Sequence, residues 1–480
     1  MFSFSTISEY HKNLNEKKFS CVDAVNYYLK NIENNAHLNA FVEVYKEEAL
    51  KTAALLDAKR NTPAPLKKLH GVVIAIKDVI CYKYHLVTAA SKILKNFESL
   101  YTATALQFLI DGDAIIIGNC NCDEFAMGST NENSAYGMVL NALDETKVPG
   151  GSSGGSAVAV QVDMCMLSLG SDTGGSVRQP ADFCGIIGLK PGYGTISRYG
   201  LLAYASSFDQ IGIFGKHIED VALLLEVMSK NDPMDSTMNM GSEFNVSNIN
   251  SDSTNKYKFA YFKQALQHSG NDPEIAERIG LFIKEIKEAG HSIAEIDFDL
   301  LDFIVPAYYV LTTAEASSNL SRYDGVRFSH QSKEHAEDLN EFYLNNRSEG
   351  FGTEVKRRIM LGTFVLSTGY YDAFYNKAQQ IRKLLIDRIT EIFSNYDAII
   401  MPVSPCTAFK IGDKDKDPIA MYLSDIYTVF ANLTGIPAIA IPLFSHSNNM
   451  PYGIQILCNK EQELLLIQIS ETLIGINESV

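Results

Sequence analysis

Two glycine-rich loops and one lysine are the residues of this chain best suited to chemistry. The stretch SDTGGS, residues 171–176, follows an apolar run, MCMLSLG. Consecutive glycines let a backbone turn sharply and aim several N–H groups at one point. Such a nest holds an anion, or the oxyanion formed when a nucleophile attacks a carbonyl. Thr173, Gly174, Gly175 and Ser176 would supply the donors, with the Ser176 hydroxyl in attacking position. A phosphate cradle is the rival, but no lysine follows to complete G-x-x-x-x-G-K-[ST]. The other loop, PGGSSGGS at 149–156, reads by itself either as a flexible linker or as a functional loop leading into AVAVQV. Its G-x-S-x-G around Ser152 is not read as an α/β-hydrolase elbow, because Pro149 stands where a strand must deliver the serine.

A serine hydroxyl attacks an amide only when a base takes its proton, and that base is usually histidine. Here His217, His268, His291, His330, His335 and His446 lie in segments unlike triad loops. Lys77 instead ends the apolar run GVVIAIK. Spacing leaves two readings of it open. One is a strand-end lysine snorkelling to solvent. The other is a buried amine whose lowered pKa makes it a base near neutrality. Two serine loops and such a lysine fit a relay: the lysine takes a proton through one serine as the other attacks, then returns it to the leaving amine.

Other chemistry is less promising. Eight cysteines include one C-x-C, Cys120 and Cys122, without a second pair of ligands, so reduced and mostly buried thiols are expected and no metal site. The run GDKDKDP at 412–418 begins like an EF-hand, but Pro418 replaces the required glycine and Ser424 stands where the bidentate glutamate belongs. It reads as a solvated charged loop. A net charge of −16 repels phosphate backbones, so the chain is not expected to grip nucleic acid directly. With 46% hydrophobic and 20% charged residues the composition is that of an ordinary globular protein. No run approaches the ~20 apolar residues of a membrane span, and the first residues lack a signal-peptide core. A soluble, cytoplasmic protein is expected.

The elements that must carry these groups alternate between strand and helix, which argues for an α/β sheet protein. Ser20 and Asp23 form a capping box before Val25, Leu29 and Ile32, and EEALKTAALLDAKR makes a further helix ending near Pro63–Pro65. GVVIAIKD, AIIIGN and MCMLSLG read as buried strands, with helices in TATALQFLIDGD and HIEDVALLLEVM. Residues 232–257 are polar and read as an exposed loop. After them KFAYF, a helix capped by Asp272 with Pro273 at its first position and Gly290 at its end, and HSIAEIDF form one βαβ unit. Helix is expected over about 354–395 and 461–472, with strands in DAIIMP, IPAIAIP and YGIQIL.

The segment GGSSGGSAVAVQVDMCMLSLGSDTGGSVRQPADFCGIIGLKP resembles the defining stretch of the amidase signature family, and GVVIAIKD lies upstream in the family's order. The resemblance implies Ser176 as nucleophile, Ser152 as relay serine behind a cis peptide, and Lys77 as base. It also implies a large mixed β-sheet core flanked by helices. The chain would be one domain: a helical N-terminal segment at 1–65, a catalytic core at 66–230 and a substrate-pocket half at 258–480.

Stretches such as DEFAMGSTNENSAYG, ISRYGLLAYASSFDQIG and GFGTEVKRRIMLGTFVLSTGYYDAFY are similar to family members that cut ammonia from glutamine for a tRNA-dependent amidotransferase. That likeness implies a glutamine pocket with Arg358 on the α-carboxylate, Asp425 on the α-ammonium and Tyr309 lining it. Arg357 and Tyr308 stand one residue away and leave both of those assignments open. It implies no cofactor in this chain. The amidotransferase's B and C subunits would complete a heterotrimer. ATP, magnesium and the mischarged Glu-tRNA(Gln), often also Asp-tRNA(Asn), would be handled by the B subunit. A stand-alone amidase acting on another small amide is the alternative. Two departures from the family pattern, Val79 for asparagine and Asn119 for lysine, spare the relay.

Overall fold

Apolar runs too short for a helix, and without its period, become the strands of one sheet. A computed structural model describes residues 2–60, 65–239, 244–249, 255–328, 330–413 and 424–478. Residues 414–418 of the charged run and most of the Pro63–Pro65 punctuation lie outside them. The strands are β1 (Phe41–Val44), β2 (Val73–Lys77), β3 (Ile115–Cys120), β4 (Leu167–Asp172), β5 (Ile187–Lys190) and β6 (Gln210–Gly215). They continue with β7 (Lys258–Phe262), β8 (Ser292–Ile296), β9 (Ala398–Pro402), β10 (Ala438–Ser445) and β11 (Pro451–Cys458). The sheet order is β1-β3-β2-β4-β6-β5-β10-β11-β9-β7-β8. The sheet is mixed. β2 runs parallel to β3 and β4, and β7 to β8 and β9, while the centre from β4 through β6, β5, β10 and β11 is antiparallel. Every residue of β2, β3, β4, β5, β6 and β9 is buried, as unbroken apolar strands covered on both faces must be.

Helices pack over both faces. Ser20 and Asp23 cap helix Cys21–Asn34 reciprocally, and Asp272 caps helix Pro273–Glu288, which joins the parallel pair β7 and β8. Two expectations change. The helical region foreseen over 354–395 is broken: helix Thr353–Val365 ends, Tyr371–Asn376 form a π-helix, and helix Lys377–Phe393 follows. Gly369, at φ +89°, and the turn around it interrupt the i→i+4 ladder. Of the stretch 149–156, which by itself reads as linker or functional loop, residues 154–156 open a short helix of mostly small residues, Gly154–Gln161, buried over its first seven residues. Of the eight cysteines seven are buried, Cys406 is half-buried, and none is in a disulfide. Among the described residues no helix is long and apolar enough to cross a membrane.

Candidate functional site

The parallel pairing of β2 and β4 sets Ile76 opposite Leu169, so both strands leave the sheet side by side. Lys77 ends β2, and Ser171 and Asp172 end β4. The helix Gly154–Gln161 runs back over β4, tied to it by Ser156 Oγ donating to the Leu169 carbonyl (3.0 Å) and Ser168 Oγ donating to the Ser156 carbonyl (2.7 Å). The loop ahead of that helix therefore falls on the same sheet edge. Gln179 Oε1 accepts from the Gly151 N–H (3.0 Å), Asp123 N–H donates to the Ser152 carbonyl (3.0 Å), and the Gly151–Ser152 peptide is cis.

Lys77 is completely buried and is not a snorkelling surface group. Its Nζ lies 2.7 Å from Ser152 Oγ, 2.8 Å from Ser153 Oγ and 2.9 Å from Ser171 Oγ. Burial lowers its pKa from the ordinary 10.5 to about 8, against the opposing pull of acidic neighbours that include Asp123, Asp172 and Asp209. Ser153 and Ser171 were not among the sequence candidates. Their signal was present, since one adjoins Ser152 and the other opens SDTGGS, but only the strand pairing shows that they face the amine.

The 173–176 loop is wrapped around Asp172. Its carboxylate accepts from the N–H groups of Gly175 (2.9 Å) and Val177 (3.2 Å), and Arg178 closes on it through Nε (3.1 Å) and Nη2 (3.0 Å). Burial alone would raise the Asp172 pKa, but the Arg178 charge and hydrogen bonds override it and bring it to about 2. The Gly175 N–H is thus engaged within the loop, unlike its expected role as an oxyanion donor. The N–H groups of Thr173, Gly174 and Ser176 have no hydrogen-bond partner among the described residues. Both glycines are sterically required. A Cβ on Gly174 would lie 2.3 Å from Tyr308 Oη, and Gly175 has φ +124° with Thr428 Oγ1 2.2 Å from its would-be Cβ. Ser176 is 8% exposed, and its hydroxyl makes no hydrogen bond among the described residues. The bonded chain runs from Lys77 to Ser152 and stops there.

Arg358, Tyr309 and Asp425 converge from three elements. Tyr309 Oη donates to Asp425 Oδ2 (3.2 Å), as does Ser129 Oγ (2.8 Å), and the Arg358 guanidinium lies 5.5 Å from the Tyr309 ring centre. Arg358 is buried and Arg357 is 47% exposed, although both pair with Glu354. Tyr308 turns instead toward Gly174. Tyr204, a further residue missed from sequence, accepts from Arg358 Nη1 (2.9 Å) and donates to Thr312 Oγ1 (3.1 Å). Asp209 links this support to the nucleophile loop, accepting from Thr173 Oγ1 (2.7 Å) and from the Tyr204 and Ala205 N–H groups (2.9 and 3.0 Å). At one departure from the family pattern, Asn119 Nδ2 donates to Asp78 Oδ1 (2.7 Å) and so braces the residue after Lys77.

Taken chemically, this is a glycine loop with free amides, a solvent-touching hydroxyl, and a buried amine of lowered basicity linked to a second hydroxyl. The model of the Amidase family matches residues 23–467. The A subunit of the glutamyl-tRNA(Gln) amidotransferase of Pelodictyon phaeoclathratiforme is 47% identical over 471 residues, 97% of this chain and 98% of the relative. The protein of the same name from Koribacter versatilis is 47% identical over 449 residues, 93% of each. The crystal structure of its namesake from Thermotoga maritima superposes with a TM-score of 0.76 at 37% identity, covering 95% of this chain and 94% of the other.

Proposed function

The chain belongs to the amidase family, and on that premise we propose that it is the glutamine-hydrolysing subunit of a tRNA-dependent amidotransferase. Ser176 Oγ attacks the side-chain amide carbon of glutamine. Its proton passes through Ser152 to neutral Lys77, and the oxyanion is held by free N–H groups of the 173–176 loop. The C–N bond then breaks as the relay returns the proton to the nitrogen, which leaves as ammonia. Water, deprotonated along the same path, releases glutamate and restores Ser176. Arg358 grips the substrate α-carboxylate, Asp425 attracts the α-ammonium, and Tyr309 lines the space between.

In this reading the chain works as one domain without a cofactor, and its ammonia goes to partners. The B subunit carries ATP, magnesium and the mischarged tRNA, the C subunit completes the heterotrimer, and the assembly is cytoplasmic. The observation that supports the reading most is the buried Lys77 amine within 2.7 Å of Ser152 Oγ, at the base of the loop bearing Ser176. The test is Ser176→Ala in the assembled enzyme. Glutamine-driven amidation is expected to be lost while amidation from added ammonium salts persists; loss of both would overturn the division of labour.

A further inference from the structure

Arg358 and the 173–176 loop come from distant parts of the chain, yet one short turn touches both. Residues 204–209 lie between β5 and β6 and end where Gln210 pairs with Asp172 of β4. The turn is closed on itself. The Phe208 and Asp209 N–H groups donate to the Ala205 carbonyl (both 2.9 Å), and Asp209 Oδ2 accepts from the Tyr204 and Ala205 N–H groups. Tyr204, Phe208 and Asp209 are all buried. The first residue of the turn reaches Arg358 and the last reaches Thr173.

An arginine meets a carboxylate as a planar fork, so the plane of the guanidinium has to be fixed as well as its charge. Glu354 Oε1 holds Arg358 Nε (2.9 Å), and that same carboxylate also pairs with Arg357. A second carboxylate on Arg358 would cancel charge that a substrate carboxylate needs. Tyr204 Oη is a neutral acceptor and holds Nη1 (2.9 Å) without doing so. Its own proton is committed to Thr312 Oγ1 (3.1 Å), whose proton goes to the Tyr308 carbonyl (2.9 Å) within helix Leu301–Asn319. The chain from Arg358 through Tyr204 and Thr312 to that carbonyl therefore runs one way, and Oη presents only a lone pair to the guanidinium. The Tyr204 and Tyr309 ring centres each lie 5.5 Å from the guanidinium carbon. At the other end Asp209 Oδ1 accepts from Thr173 Oγ1 (2.7 Å), the first residue of the loop with free amides.

We propose that Tyr204 and Asp209 are positioning residues that hold the α-carboxylate clamp and the attacking loop at a fixed separation, a proposal that rests on the function argued above. Tyr204 serves binding, because its hydroxyl sets the plane in which Arg358 meets the substrate. Asp209 serves the chemical step, because it anchors the Thr173 end of the loop that holds the developing negative charge. Displacing reacting groups by about 1 Å can cost 10²-fold in rate, so a turn braced at both ends matters to turnover as well as to affinity.

The test separates the two ends in the assembled enzyme. Tyr204→Phe keeps the ring and removes only the acceptor. Placed in a Ser176→Ala background, it should raise the glutamine Kd at least fivefold by calorimetry. With Ser176 intact, its kcat should stay within threefold of wild type. Thr173→Val keeps the shape and removes the donor to Asp209, and it should give the converse: a Kd within twofold and a kcat at least tenfold lower. Thr312→Val should repeat the Tyr204→Phe signature, and Thr312→Ser should rescue it. Equal losses of affinity and kcat in both Tyr204→Phe and Thr173→Val, the mark of a merely structural role, overturn the assignment. So does an unchanged Kd in Tyr204→Phe or an unchanged kcat in Thr173→Val. Failure of the Ser176→Ala protein itself to bind glutamine rejects the functional reading instead.

Discussion

The pH dependence of glutamine hydrolysis reports directly on Lys77. Burial moves this amine from 10.5 to about 8, so the site penalises its charged form by about 3 kcal/mol at 1.36 kcal/mol per unit. With a pKa near 8, about a tenth of the enzyme holds the free base at pH 7 and about a hundredth at pH 6. kcat/KM, followed by ammonia release, should therefore rise about tenfold per unit from pH 6 to 7.5 and level off above about 8.5. Lys77→Met should abolish this limb along with at least 99% of the rate. Stability also rises with pH, but in the window above the folded pKa. Below pH 8 the amine is protonated in both states and the folded chain bears the whole penalty. As pH rises from 8 toward 10.5 the folded state has released its proton while the unfolded state still binds it, so the penalty fades. The stability of wild type relative to Lys77→Met, from denaturant unfolding, should thus improve by about 2 kcal/mol between pH 7 and pH 9.5. A flat rate profile from pH 6 to 8.5, or a stability difference that does not move with pH, would refute a buried lysine base.

Ser171→Ala removes one of the three hydroxyls around the ammonium form. A hydrogen bond to the charged state worth about 1 kcal/mol should move the rate profile's break downward by up to about one unit, read from the same assay. Arg358→Lys cannot keep the fork that meets Glu354 and Tyr204, so glutamine KM should rise at least tenfold with a smaller change in kcat. Arg357→Ala, at a half-exposed position, should shift KM by no more than a few-fold. Asp172→Asn leaves the buried Arg178 guanidinium without its counter-charge. It should cost about 3–5 kcal/mol in unfolding free energy and the glutaminase activity together.

Much of the scaffold was legible because burial writes itself into residue type. β2, β3, β4, β9, β10 and β11 were visible as apolar runs, and helices Cys21–Asn34 and Pro273–Glu288 as capped amphipathic periods. β5 and β6 went unread, lying in Gly-rich segments without a clear period. So did the helix Gly154–Gln161, whose small apolar residues have no polar face to mark it. The relay candidates Lys77, Ser152 and Ser176 stood out by residue type and by likeness to a family. The sequence by itself thus marked most of the elements and the three side chains of the relay. The fold decided which of them meet. Ser171 and Lys77 are 94 residues apart and face each other only because β2 pairs in parallel with β4. Arg358 rather than Arg357 is buried against the Tyr309 ring, and Tyr309 rather than Tyr308 bonds Asp425, because adjacent helical residues point about 100° apart. Local composition encodes whether a position is buried. The direction it faces, and the partner it finds there, follow from packing that no short window of sequence contains.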